Sequence, residues 1–129
     1  MPLYRTAILE GCSNEAQREQ IAKDVVRVHC GVTGAPPSFV HAFFSERPES
    51  ELPDGQIAFV FGTIRWGRTD EQKAEIVSDL RTSVATALGC TESEVGVITV
   101  DIPSKWNMEG GALLPEPGEE EAWLAAHRA

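Results

Sequence analysis

The pattern of hydrophobic and polar positions predicts a strand, a helix and a second strand in the first part of the chain. Residues 2–9 carry apolar side chains on both faces of an extended segment, which is typical of a mostly buried strand. Ser13 is the expected N-cap of the helix that follows, and Gly34 with the two prolines after it is the expected end. Residues 38–45 contain valine and three phenylalanines and predict the second strand. The helix itself is indicated by apolar residues at helical spacing, at Ile21, Val25, Val28 and Val32.

The same order of elements is predicted again after a polar, proline-containing loop. Residues 56–65 predict a third strand and residues 95–102 a fourth. Thr69 is the expected N-cap of the helix between them, because Gln72 three positions later completes the capping-box spacing. Gly89 is the expected end of this helix. Its apolar stripe runs through Ile76, Leu80, Val84 and Leu88.

An offset of 55 residues brings the two halves into register. A gap of one residue is then needed to align Ser13 with Thr69. We infer the duplication from four pairs of identical residues at this offset: Ile21 with Ile76, Asp24 with Asp79, Gly34 with Gly89 and Val40 with Val95.

We therefore predict one α+β domain over residues 1–129, built from a duplicated βαβ unit that gives a four-stranded sheet with two helices on one face. Repeat one spans about residues 2–46 and repeat two about residues 56–102, followed by a C-terminal loop and tail helix at residues 103–129. Two helices leave the other face of the sheet bare, and an exposed apolar face usually marks a partner surface. A homo-oligomer is therefore expected.

Charge and cysteine content narrow the classes of function. Lysine and arginine number 11 against 20 acidic residues, for a net charge of −9, so nucleic-acid binding is disfavoured. No apolar run approaches the roughly 20 residues of a membrane helix, and the first residues lack the pattern of a secretory signal. The three cysteines have no short paired spacing, which favours a reducing cytoplasm over a disulfide framework.

Pro2 is the first candidate for chemistry. If Met1 is removed, the chain begins with a secondary amine, and an ordinary α-amino group titrates at about 7.7–8.0. An apolar site with nearby arginines lowers such a pKa, so the amine can act as a general base near neutral pH. A Met-Pro start is also common in proteins that make no use of it.

Four further residues are candidates, each with a plainer alternative. Arg65 and Arg68, at the end of a predicted strand, offer two guanidinium groups that suit a small carboxylate, or they are two solvated surface residues. His29, flanked by apolar residues, is a ligand-binding group or a half-buried structural histidine. Glu109 lies in a glycine-bearing loop, where most glutamates are surface residues. The cysteines and histidines have no metal-ligand spacing, so no metal site is expected.

Taken together, these residues resemble the tautomerase superfamily, in its cis-3-chloroacrylic acid dehalogenase-like branch. The resemblance covers nearly the whole chain. It is carried by the start Pro2-Leu3-Tyr4, by His29 after an apolar run, by Ile64-Arg65-Trp66-Gly67-Arg68, and by the tail from Glu109 to Leu114-Pro115-Glu116-Pro117-Gly118.

The resemblance implies a homotrimer of paired βαβ units that needs no cofactor. It implies that Pro2 is the catalytic acid or base and that Arg65 and Arg68 bind the substrate carboxylate, with His29 also in contact. Glu109 corresponds to the glutamate that activates water in the dehalogenases. One position departs: Ile98 stands where the family dehalogenase has a tyrosine that assists this glutamate.

The function expected from this is a cofactor-free tautomerase that interconverts the enol and keto forms of a small 2-oxo acid. Hydrolytic dehalogenation or hydration of a 3-substituted acrylate is the enzymatic alternative, with Glu109 as the base. The alternative from another class is a non-catalytic, trimeric small-molecule-binding protein, which would need neither a free amino terminus nor the arginine pair.

Overall fold

Four strands form one mixed sheet in the computed structural model, which describes residues 1–127. The strands are β1 (Leu3–Leu9), β2 (His41–Arg47), β3 (Ala58–Arg65) and β4 (Val95–Ile102), arranged in the order β2-β1-β3-β4. β1 pairs parallel with β2 and antiparallel with β3, and β3 pairs parallel with β4. Each βαβ unit therefore contributes one parallel pair, and the two units join through β1 and β3. The predicted fold class is confirmed.

Two helices of 19 residues each, α1 (Glu15–Thr33) and α2 (Asp70–Leu88), lie between the strands of their units. Both begin with a reciprocal capping box and end at a glycine in the left-handed conformation. The predicted cap at Ser13 is wrong. The cap is Asn14, whose side chain accepts a hydrogen bond of 2.8 Å from the Gln17 backbone N–H. Asn14 lies 55 positions before the Thr69 cap of α2, so the duplication runs through this turn without a gap.

The start of β2 also differs from its prediction. Residues Pro37–Phe39 form a short 3₁₀ turn, so their backbone is folded rather than extended. The first residue free of this turn's hydrogen bonds is His41, whose backbone N–H donates to the Pro2 carbonyl at 3.0 Å. β2 therefore begins at His41 and continues to Arg47, beyond the predicted end at residue 45. β3 likewise begins at Ala58 rather than at residue 56.

The core lies between the sheet and the helices. Side chains from the central strands, such as Tyr4 and Val60, are fully buried against apolar residues of both helices, such as Ile21 and Ile76. The other face of the sheet is left uncovered by helices, and it exposes Phe43, Ile98 and Val100.

The C-terminal segment crosses one end of the sheet. It forms a hairpin, β5 (Met108–Glu109) and β6 (Ala112–Leu113), and then a short helix α3 (Glu120–Ala126). The hairpin turn consists of Gly110 and Gly111, both at positive φ, a conformation that side chains rarely allow. The tail-helix prediction extended to residue 129, and residues 128–129 lie outside the described part of the chain. Within residues 1–127, no helix has the length and apolar character needed to cross a membrane.

Candidate active site

The sheet topology brings the amino terminus and the arginine pair to the same end of the sheet. Pro2 is buried immediately before β1, and its carbonyl accepts the hydrogen bond from His41 at the start of β2. β3 runs antiparallel to β1, so Arg65 at its carboxyl end lies beside the start of β1. Arg68 follows in the loop that leads into α2.

Glu109 contacts the amino terminus from the C-terminal hairpin. Its Oε1 accepts a hydrogen bond from the amino group of Met1 and lies 3.1 Å from Nε2 of His41. Burial lowers the pKa of the Met1 amino group, the Glu109 carboxylate raises it, and the charge of Arg65 lowers it further. The amino terminus therefore lies within electrostatic range of both an anion and a cation.

His29 is a neutral, buried group near the end of α1. Its Nδ1 lies 2.8 Å from the Tyr4 hydroxyl, and the two rings meet edge to face. Burial, followed by the charges of Arg68 and Arg65, lowers the pKa of His29 to about 3. Burial also raises the pKa of Tyr4 above its usual value. At neutral pH both side chains are therefore uncharged.

Arg65 is fully buried and bound by the C-terminal segment. Its Nη1 donates to the Pro115 carbonyl at 2.5 Å, and its Nη2 donates to Oε1 of Glu120 at 2.5 Å. The guanidinium also lies 5.8 Å from the centre of the Phe39 ring. Burial raises the pKa of Glu120, but the hydrogen bond and charge of Arg65 outweigh it, so the net shift is downward. Glu120 is therefore ionised at neutral pH.

Arg68 is less completely hydrogen-bonded than Arg65. Its Nε is buried and has no acceptor among residues 1–127. Burial lowers the pKa of Arg68, and the neighbouring charge of Arg65 lowers it further, while Glu120 opposes both effects. A buried donor without a partner carries a desolvation penalty that an incoming acceptor would relieve.

A cavity of about 380 Å³ opens beside the amino terminus. Leu3, Phe43 and Met108 form its apolar part, and Asn107 and Glu109 form much of its polar part together with the half-exposed His41. This space is large enough for a small organic acid and has the mixed lining that small-molecule sites usually show.

Comparison with solved structures places the chain in a family. N1, a member of the cis-3-chloroacrylic acid dehalogenase (cis-CaaD) family, superposes with a TM-score of 0.89 at 28% sequence identity, over 98% of this chain and 92% of that one. Native Ps01740 is 32% identical, with a TM-score of 0.75 over 83% of this chain and 99% of that one. A fused 4-OT, a wild-type symmetric trimer, is 25% identical, with a TM-score of 0.77 over 98% and 99% of the two chains. No protein-family model and no curated protein sequence matches the chain.

The chain belongs to the tautomerase superfamily, in the cis-CaaD-like branch. This is a superfamily of enzymes, and the resemblance stated from the sequence motifs is confirmed.

The candidate site contains three groups to which the sequence analysis gave no role. Tyr4 holds His29, His41 contacts Glu109, and Glu120 binds Arg65. A sequence signal existed for His41, since parallel pairing within a βαβ unit places the start of β2 beside the start of β1. Glu120 is one of three consecutive glutamates, and nothing in the sequence separates it from its neighbours.

Ile98 lies in the middle of β4, on the face opposite the helices, and is 44% exposed. Tyr4 is the single tyrosine of the chain, and it is fully buried against His29. The sequence therefore offers no free tyrosine to assist Glu109.

Proposed function

We propose that this protein is a cofactor-free tautomerase that converts the enol of a small 2-oxo acid to its keto form, with Pro2 as acid and base. One observation carries the proposal: Pro2 is buried directly after a Met1 amino group that contacts Glu109 and whose pKa is lowered by the charge of Arg65. The charges of Arg68 and Arg65 also act on His29 and help to keep it neutral. A basic amine beside a carboxylate-binding group is what this proton transfer needs.

Removal of Met1 is part of the proposal. While Met1 is attached, the Pro2 nitrogen is an amide and has no basic lone pair. Once Met1 is cleaved, the new amine occupies the buried Pro2 position, and burial favours its neutral, basic form. At the neighbouring Met1 amino group, burial and the charge of Arg65 lower the pKa and Glu109 raises it.

In the proposed reaction, Arg65 and Arg68 hold the substrate carboxylate, and His29 contributes a neutral N–H. In this proposal the protonated Tyr4 donates to Nδ1, which places the single proton of the imidazole on Nε2, where it is available to the ligand. The Pro2 amine accepts the proton of the 2-hydroxyl group, and the O–H electron pair stays on oxygen, which gives the enolate. An oxygen pair then forms the carbonyl while the C2–C3 double-bond pair takes the proton from the Pro2 ammonium at C3. The cationic groups stabilise the enolate between the two steps.

We also propose that the functional unit is a homotrimer. The sheet face opposite the helices exposes Phe43, Ile98 and Val100, and such a patch favours association. The similar fused 4-OT is described as a symmetric trimer.

The test is the ketonisation of phenylenolpyruvate by protein whose Met1 has been removed, compared with a Pro2→Ala variant. Alanine keeps a free amino group but loses the secondary amine and the ring that fixes it. We expect a reduction in kcat/KM of about 10²- to 10⁴-fold, the usual contribution of a positioned acid or base. Equal rates for the two proteins would exclude Pro2 as the proton carrier and favour the non-catalytic binding protein.

Hydration or hydrolytic dehalogenation of a 3-substituted acrylate is the second candidate. The contact between Glu109 and His41 favours it, because a carboxylate held by a hydrogen-bond donor is suited to activating water. In this reaction Glu109 removes a proton from water, the oxygen adds to C3, and the C2–C3 double-bond pair takes a proton from the Pro2 ammonium at C2. A halogen at C3 then leaves as halide while the new hydroxyl group loses its proton and becomes the aldehyde carbonyl.

A further inference from the structure

An internal carboxylate already occupies one of the two arginines that are proposed to bind substrate. Glu120 Oε1 accepts the 2.5 Å hydrogen bond from Arg65, and its Oε2 accepts a hydrogen bond of 2.8 Å from the Gly118 backbone N–H. The Arg65 side chain is 1% exposed and that of Glu120 is 17% exposed. The ion pair is therefore mostly removed from solvent, where its charges interact strongly.

The segment that carries Glu120 is anchored on the body of the protein. Trp123, one turn further along α3, donates from its indole N–H to the Leu113 carbonyl at 2.6 Å. Its ring meets Phe39 edge to face, with 5.5 Å between the centres. Phe39 also packs under the Arg65 guanidinium. Glu120 is thus held in place by its bond to Gly118 and by the anchoring of Trp123.

The two arginines consequently differ in what they can offer. The charge of Arg65 is matched by Glu120, whereas the buried Nε of Arg68 has no acceptor among residues 1–127. With His29 neutral, Arg65, Arg68 and Glu120 together carry a single positive charge. A ligand with one carboxylate balances that charge, and a second carboxylate would find no unmatched cation among these groups.

We propose that Glu120 is a specificity-determining residue, whose carboxylate competes with the substrate for Arg65, leaves Arg68 as the principal carboxylate ligand, and makes the site selective for monocarboxylates. This proposal rests on the proposed function for the location of the site. It concerns binding, so it is tested separately from turnover.

The test measures the Kd of two unreactive acids for the full chain without Met1, by isothermal titration calorimetry. The probes are 3-phenylpropanoate, with one carboxylate, and glutarate, with two. Glu120→Gln keeps the shape of the side chain and removes its charge. Glu121→Gln is the matched control, since it removes the same charge from an exposed neighbouring position.

Glu120→Gln should lower the Kd of 3-phenylpropanoate about threefold and that of glutarate about tenfold. The reason is that removal of the Glu120 charge leaves one more unmatched positive charge, which acts on one carboxylate or on two. Glu121→Gln should leave both Kd values within about twofold, because exposed charges are screened. The melting temperature of Glu120→Gln should fall at the same time, since the buried guanidinium loses its counter-ion. Tighter binding in a less stable protein is a combination that a purely structural role does not produce.

Equal Kd values for the two variants, or weaker binding by Glu120→Gln, would overturn the proposal, as would no binding of either acid. If Glu120→Gln does not fold, the wild-type protein decides the question, because saturation with 3-phenylpropanoate should shift the ¹³C carboxyl resonance of Glu120. If the Glu120 resonance does not shift, the ligand does not compete with Glu120 for Arg65, and the proposal is overturned. Failure of the proposed tautomerase would instead appear as absent turnover with these binding differences intact.

Discussion

The hydroxyl group of Tyr4 lies 2.8 Å from Nδ1 of His29, and both side chains are buried where β1 packs on α1. This hydrogen bond fixes the imidazole beside two arginines, whose charges together with burial keep it unprotonated. A protonated His29 would repel the arginines. The neutral ring instead supplies a fixed polar group at the site.

The depressed pKa of His29 makes stability depend on pH. The folded protein resists protonation of His29 down to about pH 3, whereas the unfolded chain protonates near pH 6.5. Below pH 6.5 the unfolded state therefore binds more protons, and the free energy of unfolding decreases as the pH falls. We expect the stability measured by urea unfolding to decrease between pH 6.5 and 5, and less steeply in His29→Gln. Parallel pH profiles for the two proteins would contradict the assignment.

Gly62 controls the position of Tyr4 from the neighbouring strand. A Cβ at Gly62 would lie 2.6 Å from Cε1 and 2.8 Å from Cδ1 of the Tyr4 ring, which is rigid and buried. Gly62→Ala should therefore destabilise the fold by about 1–3 kcal/mol, the usual cost of overpacking. The control is Gly31→Ala in α1, where the added methyl group meets nothing within 4 Å and should stabilise the helix by about 0.5–1 kcal/mol. Thermal unfolding of both variants measures the difference, and equal stabilities would argue against the close contact.

The amino terminus decides whether the protein can act as proposed. Mass spectrometry of the mature protein should show that Met1 is absent. A tag left on the amino terminus should abolish ketonisation, because the Pro2 nitrogen then remains an amide. The control is the same tag on the carboxyl terminus, which should leave the rate unchanged. Full activity of the amino-terminally tagged protein would rule out the Pro2 mechanism.

Replacement of the two arginines should separate binding from stability. Arg68→Ala should lower kcat/KM by about 30- to 1,000-fold, or about 2–4 kcal/mol, through loss of a charge-assisted hydrogen bond to the carboxylate. Arg65→Ala should lower kcat/KM less, because Glu120 already occupies that guanidinium. Arg65→Ala should also lower the melting temperature more than Arg68→Ala, because it strands Glu120 and the Pro115 carbonyl. Arg68→Lys tests whether a point charge suffices in place of the planar group. Unchanged kinetics in both alanine variants would place the site elsewhere.

Because Ile98 cannot hold a water molecule, we expect the protein to catalyse proton transfer faster than the addition of water. Ketonisation needs an acid–base group and a cationic clamp, whereas hydration also needs an oriented water, and Ile98 offers no hydrogen bond to hold one. We expect kcat/KM for phenylenolpyruvate to exceed that for cis-3-chloroacrylate. Ile98→Tyr should raise the chloroacrylate rate, and Glu109→Gln should leave ketonisation within about tenfold of wild type. Faster hydrolysis of chloroacrylate than ketonisation by the native protein would favour the dehalogenase.

Much of the fold was accessible from the sequence because its signals are local. The Thr69–Gln72 capping box and the glycines that end both helices act between residues a few positions apart. The same locality explains the error at Ser13, because Ser13 and Asn14 are both good capping residues. Only the folded backbone determined which of them reaches the Gln17 amide.

The sequence by itself determined the duplicated βαβ order, the apolar face of each helix and the motif that contains Arg65 and Arg68, since periodicity and short motifs are properties of neighbouring residues. The tertiary structure decided which charges meet. Glu120 reaches Arg65 across 55 positions and His41 reaches Glu109 across 68. No pattern along the chain encodes these contacts, because they arise where the C-terminal segment crosses the end of the sheet. The physical reason is that the net charge of a site depends on which groups lie close together in space, and distance along the chain does not specify this.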